Sequence, residues 1–474
     1  MDHKTPRIVI VPSPGISHLI PLVEFAKRFV SLHHEFYVTF IVPTLGPPSN
    51  TMKSIFEAVA PTIDSIVLPQ VNLEDLPPHI PAAVQIQLTV THSLSSLRNV
   101  LKSLISTSNL VALVADLFAS IAHDVANEFY ISPFIFFPSS AMGLSFCLYF
   151  PKMDETLTCN FGELQEPVKI PGCIPIHGSD LPNPVQDRSS EAYKSFLRLS
   201  KRLHLADGIV VNSFMDMEPD VIKALQEEDG GTGNPPIYPV GPIIQNGSSS
   251  VVDGSECLKW LDNQPPKSVV YVSFGSGGTL SFDQVNELAL GLELSGQRFL
   301  WAVRAPDNKS ANAGYLSVQN EDPLNFLPLG FVERTKGKGQ GLVVPNWAPQ
   351  VEVLSHNSTG GFLTHCGWNS TLESVMHGVP LIAWPLFAEQ KMNAVMLCDG
   401  LKVALRPKVN EKGLVEKEEV GKVVKDLLES EEGERIRNRM KDIKDAATNV
   451  LSENGSSTNA LSELALRWKN MRLA

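Results

Sequence analysis

The sequence predicts an α/β protein of two domains, each a doubly wound parallel sheet, facing one another across a cleft. Three observations predict it. Short β-rich runs alternate with helical stretches from end to end, the pattern of strands connected by crossover helices. The alternation stops at 241–255, a stretch rich in Gly, Ser and Asn without apolar period, and then begins again. The length of 474 residues fills two or three domains at about 150 residues each. The resulting bounds are 1–240, a linker 241–255, a second domain 256–455 and a terminal segment 456–474. In such folds ligands sit beyond the carboxyl ends of the strands.

Each element has its own signal. In the first half, strands are expected at Arg7–Val11, Tyr37–Val42, Ile63–Leu68, Val111–Ala115, Phe134–Phe137 and Gly208–Asn212, with helical patterns such as Leu22–Leu32 and Val84–Ile105 between them. The second half repeats the scheme with Val269–Phe274, Phe299–Val303, Gly341–Val344, Gly361–Thr364, Leu381–Trp384 and Val403–Leu405. A polar stretch, Ala305–Asp322, reads as a surface insertion. The region Val415–Val450 is charged and helical in period. Leu461, Leu464, Trp468 and Met471 then follow at 3-4-3 spacing and form one apolar helix face. No repeat of 20–50 residues is present.

Composition excludes several classes of function. With 43% hydrophobic and 19% charged residues, the chain buries a sizeable core and is not disordered. Its 39 Lys+Arg against 51 Asp+Glu give a net charge of −12, a poor basis for gripping nucleic acid or an anionic membrane. The uncharged stretch Ile131–Pro151 is broken by Pro133 and Pro138, so it reads as a strand and an N-capped core helix rather than a span. Nothing at the N-terminus resembles a signal peptide. Six cysteines without a Cys-x-x-Cys are expected to be free thiols in the cytosol. The chain is expected to act as a monomer.

Candidate chemistry clusters at strand ends. His18 follows the first strand in the loop Pro12-Ser13-Pro14-Gly15-Ile16-Ser17-His18, where it can serve as a general base or cap a turn; residue type alone favours the turn. Asp116 closes the strand Leu113-Val114-Ala115-Asp116 and can orient that imidazole or cap the next helix. In Ser273-Phe274-Gly275-Ser276-Gly277-Gly278-Thr279 the glycines let backbone amides approach a phosphate. Ser281-Phe282-Asp283-Gln284 is a capping-box start to the helix that follows. Leu280 stands where the third glycine of a dinucleotide fingerprint belongs, and the next strand ends in Arg304 without a ribose-binding acid. There is no P-loop, no nucleophile elbow and no carboxylate pair at metal spacing.

The densest cluster is Trp347–Gln390. The strand ending at Thr364 leads through His365-Cys366-Gly367 into the helix begun by Trp368-Asn369-Ser370. This places His365, Asn369 and Ser370 at the positive end of a helix dipole, a ready anion site. Glu373 can accept from vicinal sugar hydroxyls. The structural alternative is that Asn369 and Ser370 cap the helix and Glu373 complements its dipole. Glu389-Gln390 follows the strand Leu381–Trp384 in the same way.

These residues resemble a known pattern. Trp347-Ala348-Pro349-Gln350, His365 to Ser370, Glu373, Pro380 and Glu389-Gln390 together match the signature box of the plant UDP-dependent glycosyltransferases in length and at each position. The resemblance spans essentially the whole chain and is nearest to the hydroquinone (arbutin-forming) glucosyltransferase group. It implies the GT-B fold, two Rossmann-like domains facing across a cleft, with the C-terminal helix returning to the N-terminal domain. It also implies that UDP-glucose is the donor, that a small phenolic or indolic hydroxyl is the acceptor, and that no cofactor or metal takes part. On this resemblance Trp347 stacks on uracil and the Ala348 backbone bonds its edge, while Gln350 and Glu373 hold the ribose. His365, Asn369, Ser370 and Ser276 hold the diphosphate, with Ser17 as a further contact. Trp368, Glu389 and Gln390 bind the sugar, His18 is the base and Asp116 steadies it. Two features depart from close relatives: Ser17 replaces a usual glycine, and Ala119-Ser120-Ile121 replaces a usual Gly-Thr-Asp.

A scaffold of this kind also serves two other functions. A nicotinamide-dependent dehydrogenase is disfavoured by the broken glycine fingerprint, and a non-catalytic sugar-nucleotide binder by the presence of His18 and Asp116. Because no metal site is apparent, excess EDTA is expected to leave the transfer rate unchanged. A rate that collapses and is restored by Mg²⁺ would overturn the view that backbone amides and a helix terminus stabilise the leaving group.

Overall fold

Apolar runs of four to eight residues become two all-parallel sheets in the computed structural model, which describes residues 5–73, 82–227, 233–245, 255–308, 310–312 and 321–471. The first sheet contains β1 (Pro6–Val11), β2 (Tyr37–Val42), β3 (Ile63–Val67), β4 (Asn109–Asp116), β5 (Ser132–Phe137), β6 (Gly208–Val211) and β7 (Ile237–Pro239), in the order β3-β2-β1-β4-β5-β6-β7. The second contains β8 (Val269–Ser273), β9 (Arg298–Val303), β10 (Gly341–Pro345), β11 (Thr359–Thr364), β12 (Leu381–Ala383) and β13 (Ala404–Leu405), in the order β10-β9-β8-β11-β12-β13. Strand order reverses once in each sheet, between β1 and β4 and between β8 and β11. Every strand expected from the sequence is present, with ends shifted by at most two residues. β7 was not expected. Prolines at 235, 236 and 239 mask its three residues, and Pro239 is tolerated because β7 pairs only with β6, at the sheet's edge.

The chain divides into two compact units. One comprises Met1–Ser179, Pro184–Gln245 and Asn449–Ala474, and the other Asp180–Asn183 and Asn246–Thr448. Most of the expected linker and part of the Ala305–Asp322 insertion lie outside the described residues. The central strand β4 is buried from Leu110 onward, because helices cover both faces of a parallel sheet. In the first unit, the helix Ser456–Asn470 lays Leu461, Leu464 and Trp468 into the core. The Trp468 ring meets Phe29 edge-on at 5.1 Å and Phe134 at 5.3 Å. Arg467 donates to the Asp207 carbonyl at 2.8 Å and Ser457 to the Gly241 carbonyl.

Helix starts follow the sequence with one change. Ser140 caps Ala141–Thr156 by accepting from the Gly143 amide at 3.0 Å, so the uncharged stretch is a strand and a core helix. Ser281 caps Phe282–Ser295 by accepting from Gln284 at 3.2 Å. The Gln284 side chain does not complete a capping box. Its amide pairs in both directions with the Val415 backbone at 2.9 Å, tying together parts of the chain 131 residues apart. A second long-range tie is the buried Glu218, which accepts from the Ala141 and Met142 amides at 2.8 and 2.7 Å; burial pushes its carboxyl pKa up.

Trp468 is fully buried, so Trp468→Ala is expected to cost about 3–5 kcal/mol of stability, measured by denaturant unfolding of the full chain. A cost below about 1 kcal/mol would show that the terminal helix is not part of the core.

Candidate active site

In the first unit, Gly15, with φ of 126°, turns the chain from β1 into the helix Ile16–Leu32. A side chain is strained in that region of backbone space, and glycine is not. His18 therefore sits in the first helical turn, and its Nδ1 lies 2.9 Å from Asp116 Oδ2. Asp116, at the end of the neighbouring β4, is fully buried. Its other oxygen accepts from the Ser13 hydroxyl at 2.5 Å and the Phe118 amide at 3.1 Å. Asp116 thus does both things foreseen for it: it caps the turn Leu117–Ala119 and it holds the imidazole. Phe118 stands edge-on to the His18 ring at 5.5 Å.

In the second unit the candidate residues gather where β8, β10, β11 and β12 end. His365 lies between two glycines. A Cβ on Gly275 (φ 72°) would come within 2.6 Å of the imidazole, and one on Gly367 within 2.4 Å. A side chain at either place would have to displace the buried ring. Burial holds His365 neutral, its pKa down at about 4. Gly367 is the N-cap of the helix Trp368–His377, and no side chain caps that helix. The capping role considered for Ser370 is therefore not the one it plays. Ser370 instead accepts from Gln350 Nε2 at 2.9 Å, and the same nitrogen donates to Glu373 Oε2 at 2.6 Å. Burial pushes the Glu373 carboxyl up to about 7, although the Gln350 bond opposes the shift.

Trp347 follows β10 with its ring 39% exposed, while Ala348 is buried. Its position is fixed by Asn346, which adopts φ 63° and donates to the Val303 carbonyl at 2.7 Å. Ser17 is half-buried, Ser276 exposed and Trp368 buried. Gln390 is buried, and its Oε1 accepts from the Leu386 and Phe387 amides at 2.9 Å each. Glu389 is the N-cap residue of the helix Gln390–Val395. The structure therefore brings His18 and Asp116 together in one unit and the remaining candidates, apart from Ser17, together in the other. Sequence reasoning missed Ser13, Phe118 and Asn393. Ser13 stands in a loop the sequence already marks, but no spacing rule reveals which hydroxyl or ring meets a carboxylate or imidazole across a fold.

Comparison with known proteins shows the family. The family model "UDP-glucoronosyl and UDP-glucosyl transferase" matches residues 253–432. The hydroquinone glucosyltransferase of Rauvolfia serpentina is 58% identical over 99% of both chains. The chain belongs to the plant UDP-glycosyltransferase family. Phytolacca americana UGT2, solved with UDP-2-fluoro-glucose and pterostilbene, superposes with a TM-score of 0.89 at 52% identity, over 98% of this chain and all of that one. A Polygonum tinctorium UDP-glucosyltransferase capable of glucosylating indoxyl, solved with 3,4-dichloroaniline, gives 0.91 at 53% identity, over 99% of this chain and all of that one. The glycosyltransferase has the GT-B fold of these relatives. Among the described residues no helix is long and apolar enough to cross a membrane.

With its pKa pushed up to about 7, Glu373 is ionised above that pH and protonated below it. On the ribose role that the family resemblance implies for Glu373, the ionised form is the better acceptor for hydroxyl donors, so UDP affinity is expected to fall as pH drops through about 7. Calorimetric titration between pH 6 and 8 measures it, and Glu373→Gln should flatten the dependence.

Proposed function

We propose that this glycosyltransferase moves glucose from UDP-glucose to a hydroxyl of a small phenolic or indolic acceptor, with inversion at the anomeric carbon. The observation that carries this reading is the 2.9 Å contact between His18 and the buried Asp116. Asp116 accepts from Nδ1–H, which fixes the tautomer and leaves Nε2 as the basic nitrogen. The acceptor oxygen gives its proton to Nε2 as it forms its bond to the sugar's anomeric carbon. The bond from that carbon to the UDP oxygen breaks on the opposite side, and UDP departs with the electron pair. Asp116 stabilises the imidazolium that results. The relatives that glucosylate hydroquinone and indoxyl, or bind pterostilbene, support the acceptor class. A phenol with pKa near 10 is a far easier nucleophile than an alkyl alcohol, so a single histidine base suffices.

The donor roles follow from the local chemistry. The exposed Trp347 ring offers a stacking face to uracil, and the Ala348 backbone its edge contact. Gln350 and Glu373, already bonded as donor and acceptor, offer the complementary pair that a vicinal diol needs. His365, Asn369, Ser370 and Ser276 surround the diphosphate, whose charge is met by the helix dipole and backbone amides rather than by a metal. Gln390 has its carbonyl oxygen engaged by two amides, so its NH₂ is the group it turns to a sugar oxygen. Glu389 is the acceptor beside it, and buried Trp368 contributes through its backbone. None of the six cysteines lies in a disulfide, which suits work in the cytosol.

His18→Ala is expected to lower kcat by roughly 10²–10⁴, with UDP-glucose affinity little changed. The loss should shrink for an acidic phenol, which is partly ionised before it binds. Measuring kcat of the variant with phenols of low and high pKa checks this. An equal loss with both would make His18 a substrate-positioning group, and no loss with either would remove it from the mechanism.

A further inference from the structure

We propose that Asn393 is a positioning residue for the donor, one that holds the diphosphate loop in shape without touching UDP-glucose. The proposal rests on the donor-site reading above and extends it beyond the signature box, which ends at Gln390. Asn393 lies on the helix Gln390–Val395 and is completely buried. Its Nδ2 donates to the Cys366 carbonyl at 3.0 Å and reaches Glu389 Oε1 at 3.5 Å. One side-chain amide thus joins the loop that carries His365 to the carboxylate assigned to the sugar.

The loop needs such a tie. Cys366 adopts φ 63°, left-handed backbone that costs a non-glycine residue free energy and persists only where the surroundings impose it. Two bonds impose it here. The Cys366 amide donates to Thr364 Oγ1 at 3.3 Å, and its carbonyl accepts from Asn393. That conformation turns the chain from β11 into the helix Trp368–His377. It also sets where the amides at the helix start point and brings Gly367 against the His365 ring. A glycine at 366 would adopt the same angles without strain but would have many others open to it. The cysteine needs the Asn393 bond, and the bond leaves it one conformation. Asn393 thereby sets the geometry of the diphosphate site and the aim of Glu389 together.

Asn393→Asp tests this, because it keeps the shape and exchanges the donating NH₂ for an accepting oxygen that faces the Cys366 carbonyl and Glu389. At pH 8 the variant is expected to raise KM for UDP-glucose and the inhibition constant of UDP about tenfold, equivalent to about 1.4 kcal/mol. Its kcat should stay within about threefold, and KM for the phenol should not change. As pH falls the introduced carboxyl takes up a proton and can donate again, so the KM ratio of variant to parent should shrink. Burial pushes the Cys366 and Cys398 thiol pKa values up, while the parent enzyme controls for Glu373 and Glu389. Asn393→Ala should show the same rise at pH 8 without recovery at low pH, and melting curves establish that each variant is folded. If Asn393→Ala does not fold, the pH series of Asn393→Asp decides. Glu373→Ala is the control for the donor site. If it raises KM for UDP-glucose while Asn393→Asp at pH 8 stays within twofold of the parent, Asn393 only fills space and the proposal fails. A loss in Asn393→Asp that ignores pH and falls equally on kcat and the acceptor KM also overturns it. If Glu373→Ala too leaves KM unchanged, the donor-site reading itself is wrong.

Discussion

The reversal of strand order in each sheet is the constraint on which the rest of the structure depends. Where neighbouring parallel strands are followed by connections that depart to opposite faces, the loops diverge and a crevice opens at the carboxyl ends. In the first unit this happens between β1 and β4, and His18 and Asp116 stand on those two strand ends. In the second it happens between β8 and β11, and Gly275 and His365 stand there. Residues 98 apart in the chain become hydrogen-bonded partners because two strands are paired in register. The chemistry is local to the crevices beyond those two pairs of strand ends.

Within those crevices, burial decides which charges exist. His365 is held neutral between its two glycines, its pKa at about 4, so an anion beside it is met by N–H donors and a helix dipole rather than by an imidazolium. Glu373 carries the opposite consequence of the same physics. Desolvation outweighs the single bond from Gln350 and puts its titration at about 7, where ionisation can follow a ligand that supplies further donors. Asp116 meets three partners, Ser13, Phe118 and His18.

Much of this was legible in the linear sequence, for identifiable reasons. Parallel strands covered on both faces must be apolar throughout, so β1, β4 and β8 announce themselves as runs such as Ile8-Val9-Ile10-Val11. Ser140 and Ser281 announce helix starts because an N-cap is a local interaction within three residues. β7 did not announce itself, since its prolines imitate a turn and only its place at the edge makes them tolerable. The Gln284 amide looked like half of a capping box but found the Val415 backbone, a partner no local pattern can point to. Asn393 lies three residues beyond a recognised motif, and its role depends on a carbonyl that precedes it by 27 positions.

The sequence by itself determined the class of fold, the strand ends where ligands bind and the residue types gathered there, because periodicity, turns and caps are short-range physics. The family resemblance added the donor and the kind of acceptor. Tertiary structure alone decided which of those residues meet. It gave Asp116 to His18 as well as to its own helix turn, gave Ser370 to Gln350 instead of to a cap, and pressed His365 against two glycines from different loops. Those outcomes depend on strand register and on what water is excluded from, and both are properties of the folded chain rather than of any segment of it.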